Sequence, residues 1–242
     1  MVVTGILKKF KAMIISIAAV IISIGSWNDT ETVLVNTYQK IKATWTNENE
    51  YLLISKITVG HSFDYVKLQS GLPQAVKSSS IDSQVQFNYF NYGKFMLSVA
   101  VKESRVAAYS IQALNTDFSP SIPYVGYKLF DESLKDIISS PDDSHFESGS
   151  SNYYIDVMEL GRDAMFHQLM VGMYNYNTAQ SISNETIQLL DQAYVLGDDA
   201  SFNQYKNKLR ENQINTFTVS ELPRDVMLEM MLTKFEFNTY FS

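Results

Sequence analysis

The chain has 242 residues, 45% hydrophobic and 13% aromatic, which is enough apolar material for one large or two small cores and excludes an intrinsically disordered chain. Its formal net charge is −7; beyond Lys8, Lys9 and Lys11 it carries 16 of its 19 basic residues against all 26 acidic ones. That excludes nucleic acid as a partner, because phosphate binding needs clustered Lys and Arg. With no cysteine there is no disulfide, thiolate nucleophile, thiolate-bound zinc or lipidated Cys, and the composition suits an oxidising compartment.

Residues 1–27 read as a basic flank and a membrane anchor. The run Ala12–Trp27 is uncharged; it is short for the roughly 20 residues a span needs, but snorkelling Lys8, Lys9 and Lys11 and an interfacial Trp27 accommodate that. Three lysines before the run against Asp29 and Glu31 after it predict an N-terminus-inside orientation. The expectation is a single-pass protein of the bacterial inner (cytoplasmic) membrane, in contact with the lipid bilayer, its C-terminal domain periplasmic or extracellular. A cleavable signal peptide is the competing reading, opposed by Trp27 immediately after the only small residues.

Residues 28–50 are expected to form a juxtamembrane helix, with Val33, Leu34, Tyr38, Ile41 and Trp45 at helical spacing and Asp29 or Thr30 as N-cap. Residues 51–242 follow as one α+β domain of antiparallel meanders packed on short helices. Ser62 is placed to cap a helix with an apolar face of Phe63, Val66 and Leu68, ended by Gly71 and Pro73. Three strands are expected over Gln84–Tyr92, Lys94–Lys102 and Arg105–Leu114, with turns at Asn91–Gly93 and Glu103–Ser104. Alternation in the second strand, Phe95, Leu97, Val99 and Val101 against Met96, Ser98, Ala100 and Lys102, suits a sheet with one side on the core.

The pattern Val-Gly followed by Phe-Asp and a closing proline recurs at Val125–Pro141, with a longer helix expected, so residues 57–114 and 123–177 are candidate repeats. Strands are expected over Asn152–Glu159 and within Asp163–Tyr176. Residues 183–242 turn helical: Asn184–Leu196 and Ala200–Arg210 with a stop at Gly197-Asp198, a strand over Asn215–Val219, and a last helix from Ser220 with Pro223 in its first turn and Val226, Met227, Met230 and Met231.

Val59, Gly60, Ser62, Val66, Gly71 and Pro73, followed by the meander, resemble the small envelope-domain family that includes the outer-membrane assembly lipoproteins (SmpA/OmlA, BamE) and the β-lactamase inhibitory proteins. The resemblance spans Ile57–Leu114, about a quarter of the chain, or about half if the second copy is counted as in the tandem inhibitors. It implies the fold and a protein-binding, non-enzymatic role. The chain departs from the family in lacking both the lipidated Cys of the lipoproteins and the disulfides of the inhibitors.

No catalytic constellation stands out. His61, His145 and His167 are scattered, without a second ligand at i+3 or i+4. The densest polar cluster, Asp142-Asp143-Ser144-His145-Phe146-Glu147, reads as a loop after Pro141, with an acid–base or metal site as the alternative. Phosphate-loop and nucleophile-elbow motifs are absent, and no cofactor or metal is expected. Phe87, Tyr89, Phe90 and Tyr92, on a strand rich in aromatics and amides, are the candidate partner-binding residues, buried packing of both faces being the alternative. Met165, Met170, Met173, Met227, Met230 and Met231 read as core filler or as an adaptable interface. The expected function is a non-enzymatic interaction domain that binds a protein partner or another copy, within an envelope complex. A membrane-tethered hydrolase and a sensor or accessory subunit of a bacterial defence or stress system are the alternatives.

Overall fold

The computed structural model describes residues 47–175 and 182–241. The chain divides between Tyr51 and Leu52 into two compact units; of the first, only residues 47–51 are described. Among the described residues no helix is long and apolar enough to cross a membrane. The expected span over 12–27, with Lys8, Lys9, Lys11 and Trp27, lies outside the described residues, as does most of the juxtamembrane helix. A transmembrane helix is therefore not part of the observed fold, and the single-pass inner-membrane assignment is corrected to an α+β domain.

That domain is built on eight antiparallel strands: β1 Ala75–Ser78, β2 Val85–Asn91, β3 Phe95–Lys102, β4 Arg105–Ala113, β5 Asp143–Glu147, β6 Asn152–Glu159, β7 Gln168–Asn175 and β8 Thr216–Ser220. They form one sheet in the order β1-β2-β3-β4-β8-β7-β6-β5. The helices are α1 Glu48–Ser55, α2 Phe63–Ser70, α3 Leu134–Ile137, α4 Asn184–Leu196, α5 Asp199–Arg210, α6 Arg224–Met230 and α7 Lys234–Phe241, with a short 3-10 turn at Arg162–Ala164.

The two halves share an element order, a helix followed by four strands, and meet where β4 pairs with β8. Each helix starts at a serine whose hydroxyl accepts the N–H three residues on, Ser62 from Tyr65 and Ser133 from Asp136, satisfying one of the free amides of the first turn. Each cap is bridged to the chain entering its half's last strand, Ser62 to Arg105 and Ser133 to Gln213. The next amides repeat the match, Phe63 N donating to Ser104 O at 2.9 Å and Leu134 N to Asn212 O at 3.0 Å. The halves are thus brought into register by the cap serines and not by the Val-Gly pairs. The second helix, expected to be the longer, has four residues. Between β3 and β4 the chain turns on Glu103 and Ser104, both left-handed, as a tight hairpin turn requires. Between β7 and β8 it instead inserts α4 and α5.

Both sheet faces are covered. On one, Phe87, Tyr89, Met96, Ala100, Ile155, Val157, Met170 and Tyr174 pack with Leu222, Val226, Met227, Met230 and Leu232 of the C-terminal segment. On the other, Leu97, Val99, Tyr109, Ile111, Leu169, Val171, Phe217 and Val219 are buried, and Phe118 stacks on Phe95 at 4.7 Å. The one-sided sheet expected from β3 is therefore corrected: seven of its eight residues are buried, because α6 runs back over the face that alternation had left to solvent. Leu68, expected on the apolar face of α2, is exposed, whereas Val66 is fully buried. The Asp142–Glu147 loop is mostly the edge strand β5. Edge strand β1 and helix α7 have no counterpart among the elements expected from the sequence. The first is only four residues long behind Pro73, and the second has no amphipathic period to read, with no buried residue.

The C-terminal segment is tied down by carboxylates and by hydroxyls rising from the sheet. Tyr89 Oη donates to Met230 O at 3.0 Å and Tyr174 Oη to Leu232 O. Glu229 accepts from the Ser79 hydroxyl and from Ser80 N at 2.6 Å, and Glu236 pairs with Lys77 at 2.9 Å. Partial burial pushes both carboxyls up. For Glu229 the bonds from Ser79 and Ser80 outweigh that, and for Glu236 the Thr233 N–H and Lys77 do, leaving both below the ordinary value of 4.5. A depressed folded-state pKa gives stability that is present above the unfolded value and is lost as pH falls through the folded one. Acidification below about pH 4.5 is expected to weaken the fold, and Glu229→Gln/Glu236→Gln to flatten that pH dependence, as denaturant melts at pH 7 and pH 3 would show. Gly172 sets a second limit: a Cβ there would lie 2.2 Å from Tyr154 O and 2.7 Å from the Ile155 Cα. Because the obstacle is strand backbone, Gly172→Ala is expected to cost about 2–3 kcal/mol, measured as a shift in denaturation midpoint at constant m-value.

Candidate functional site: the helical corner and its exposed apolar tip

Helix α4 begins at Ser183, whose hydroxyl accepts from Thr186 N, and buries Thr186, Ile187, Leu190 and Ala193, a stripe at helical spacing that lies against β5 and β6. It stops at Gly197, which is left-handed; Gly197 N donates to Tyr194 O at 3.2 Å and Asp198 N to Ala193 O at 2.9 Å, closing the free carbonyls of the last turn. Asp198 then caps α5, its carboxylate accepting from Ser201 N at 3.1 Å. The corner between the helices is thus held by hydrogen bonds at both ends.

At that corner the apolar sequence outruns the buried stripe. Tyr194, Val195 and Leu196 are 66%, 75% and 71% exposed, three large apolar side chains in succession on a rigid tip. Tyr194 meets Phe146 of β5 edge-on at 5.6 Å and Phe202 of α5 at 6.0 Å, and Phe146 and Phe202 lie 5.9 Å apart. The aromatic triangle anchors the tip to the edge of the sheet.

At the other end of α5 a buried ion pair fixes the helix. Arg210 Nε donates to Asp156 Oδ2 at 2.7 Å, and its Nη2 reaches the Ile138 carbonyl. Asp156, fully buried, also accepts from Ser144 Oγ at 2.6 Å and Tyr154 Oη at 3.1 Å. Three donors, Arg210 Nε, Ser144 Oγ and Tyr154 Oη, converge on one carboxylate, the arrangement that makes a buried charge tolerable.

Elsewhere Leu68, Leu72 and Val76 of β1 are exposed as well, the first two by 82% and 79%. Single exposed aliphatics are ordinary, whereas contiguous ones mark contact surfaces.

The residues singled out in the sequence fall elsewhere. Phe87, Tyr89 and Phe90 are buried in the core, and Tyr92 is half-buried, stacked on Phe95 at 4.7 Å with its hydroxyl donating to Ser70 O at 3.1 Å. The exposed partner face expected on β2 is therefore not offered by the folded domain. His61 sits in an exposed turn, its Nδ1 3.1 Å from Lys56 O, His167 is buried in the β6–β7 connection, and neither approaches His145 in the sheet. Among the described residues no group of three His, Cys, Asp or Glu side chains could hold a metal ion.

His145 and Asp143 share one face of β5, with Asp143 Oδ2 3.3 Å from His145 Nε2 and 2.8 Å from Arg224 Nη1. Burial pushes the Asp143 carboxyl up, but the Ser144 N–H, His145 and Arg224 together hold it below the ordinary carboxylate value, unsuited to a general acid at neutral pH. Asp142 accepts from Glu159 N at 2.7 Å and Glu147 from Ser150 Oγ at 2.5 Å. These carboxylates are strung along an edge strand in structural bonds. They do not converge on a reacting centre, which removes the geometric motive for a hydrolase here. The sequence did carry a signal for the tip: Tyr194-Val195-Leu196 breaks the helical period of Ile187, Leu190 and Ala193 just before a glycine stop.

No protein family and no curated protein matches the chain. Among solved structures, a cysteine-rich secretory protein from Staphylococcus aureus is 10% identical over 67% of this chain and 44% of its own, with a TM-score of 0.35. A Bacillus anthracis extracellular protein containing an SCP domain is 11% identical over 73% of this chain and 54% of its own, also at 0.35. A Streptococcus mutans protein assigned as a β-lactamase inhibitor is 17% identical over 53% of this chain and 91% of its own, at 0.28. The chain spans only about half the length of the first two, none of the three is an outer-membrane assembly lipoprotein, and likenesses this remote carry neither activity nor partner over.

Replacing Asp156 by Ala strands the Arg210 guanidinium and is expected to cost about 3–5 kcal/mol. The double change Asp156→Leu/Arg210→Met, which removes both charges, is expected to recover most of that in the same denaturant titration.

Proposed function

We propose that this is a non-enzymatic, extracytoplasmic protein-binding domain whose contact surface is the α4–α5 tip. One observation carries the reading: three successive large apolar side chains, Tyr194, Val195 and Leu196, are held in solvent by a helix stop and an aromatic triangle that serve no buried core. Exposed apolar surface on a rigid support costs solubility and is kept where a partner covers it. The cysteine-free composition and the sequence resemblance to envelope domains support a role outside the cytoplasm. The carboxylates around His145, tied into structural bonds, favour binding over chemistry.

A photo-cross-linking residue placed at Leu196 in the full chain tests this in the organism of origin. The expected outcome is a discrete adduct that disappears when Val195→Asp is added. Labelling that is diffuse, or unchanged by Val195→Asp, would remove the tip as the binding surface.

A further inference from the structure

Helix α2 and the ends of the first three strands line an open cavity of about 410 Å³, within the size range of small-ligand clefts. Phe63, at the start of α2, and Val101 of β3 supply apolar wall. Much of the remaining lining is polar: the hydroxyls of Ser78, Ser83 and Ser104 and the side-chain amides of Gln84 and Gln86. None of these five side chains has a hydrogen-bond partner among the described residues.

The strand register shows what the second half does with the same place. Counting outward from the Ser110–Thr218 pair at the meeting of β4 and β8, Ser98 corresponds to Met170, Tyr89 to Val157 and Ala75 to Asp143. Three residues on, Ser78 corresponds to Phe146, and the residues opposite them, Gln86 and Tyr154, correspond to each other. Phe146 is covered by Tyr194 and Phe202 of the helical pair, and Tyr154 is buried. In the first half β3 turns straight into β4 without inserted helices, and the same place stays open. Its two strand positions carry a serine and a glutamine, both exposed. The cavity is therefore furnished for polar contact, with no apolar seat for a helical pair such as α4–α5.

Charge narrows the ligand further. Lys67 in the lining is paired with Asp64 at 2.7 Å, whereas Glu103, also in the lining, makes no ion pair among the described residues. An anion would meet the Glu103 carboxylate with Lys67 already neutralised. An apolar ligand would leave the hydroxyls and amides without partners. A neutral sugar fits both conditions, because each of its hydroxyls donates and accepts, as serine hydroxyls and glutamine amides do, and its C–H groups can rest on Phe63 and Val101.

We propose that this cavity binds a neutral carbohydrate, the serine hydroxyls and glutamine amides bonding the hydroxyls of the sugar and Glu103 accepting from one of them. The site is separate from the α4–α5 tip and does not depend on the reading of that tip as a protein-binding surface.

The purified full chain, passed over a panel of immobilised neutral and acidic oligosaccharides, is expected to be retained by neutral members and not by acidic ones. Gln86→Tyr and Ser78→Phe fill the cavity with the side chains that the second half carries at those places. Each is expected to weaken binding about tenfold or more, with an unchanged melting temperature because both positions are exposed. Val195→Asp, at the tip, is expected to leave sugar binding unchanged. Retention by no neutral oligosaccharide overturns the proposal, as does retention that survives both filling variants or that Val195→Asp abolishes. Preferential retention by acidic members overturns it as well.

Discussion

The pairing of β4 with β8 is the contact on which the rest of the architecture depends. Five residue pairs, Ala108 with Ser220 through Gln112 with Thr216, join two four-stranded halves into one sheet. Side chains reinforce it: Ser110 Oγ donates to Phe217 O, 107 residues away, and Thr216 Oγ1 donates back to Ile111 O. Without this seam each half would present an open edge and an incomplete face. With it, the apolar residues of both halves form continuous surfaces that helices can cover. The entropic cost of closing so long a loop is offset by the burial it permits.

The seam also explains the asymmetry between the halves. In the first, β3 reaches β4 through a two-residue turn, so α2 has room to lie over the sheet for two turns. In the second, the connection to β8 carries α4 and α5, which occupy the β5–β6 side of the sheet. Arg210 of α5 reaches both Asp156 and the carbonyl of Ile138 just beyond α3, so a longer α3 would meet α5. One insertion therefore shortens a helix, buries an ion pair and leaves an apolar tip in solvent.

The opposite face shows how a polar alternation can end up inside. Ser98, Ser110, Gln112, Thr216 and Thr218 give the central strands the look of a solvent face, yet all are buried beneath the C-terminal segment. Gln112 Nε2, donating to Tyr174 O at 3.2 Å, and the hydroxyls of Ser110 and Thr216 are satisfied by carbonyls of the sheet itself. Burying these three therefore leaves none of their donors stranded.

Much of the local structure was legible in the residues alone. The Ser62 cap, the Asn91–Gly93 and Glu103–Ser104 turns, the strand over Asn152–Glu159 and the helix over Asn184–Leu196 follow from capping, turn chemistry and periodicity, which act within a few residues of one another. What covers each strand does not. Phe87 and Tyr89 have the composition of a recognition face and became core because α6, more than a hundred residues later, folds over them, while Phe90 is buried on the opposite face beside Leu97. Asp142–Glu147 has the polarity of a loop and became an edge strand because β6 supplies hydrogen-bond partners on one side. Sequence by itself determined which segments extend, coil and turn, since those preferences are set by neighbours along the chain. Tertiary structure alone decided which surfaces stay in water, because burial belongs to pairs of elements that only the long-range β4–β8 seam brings together.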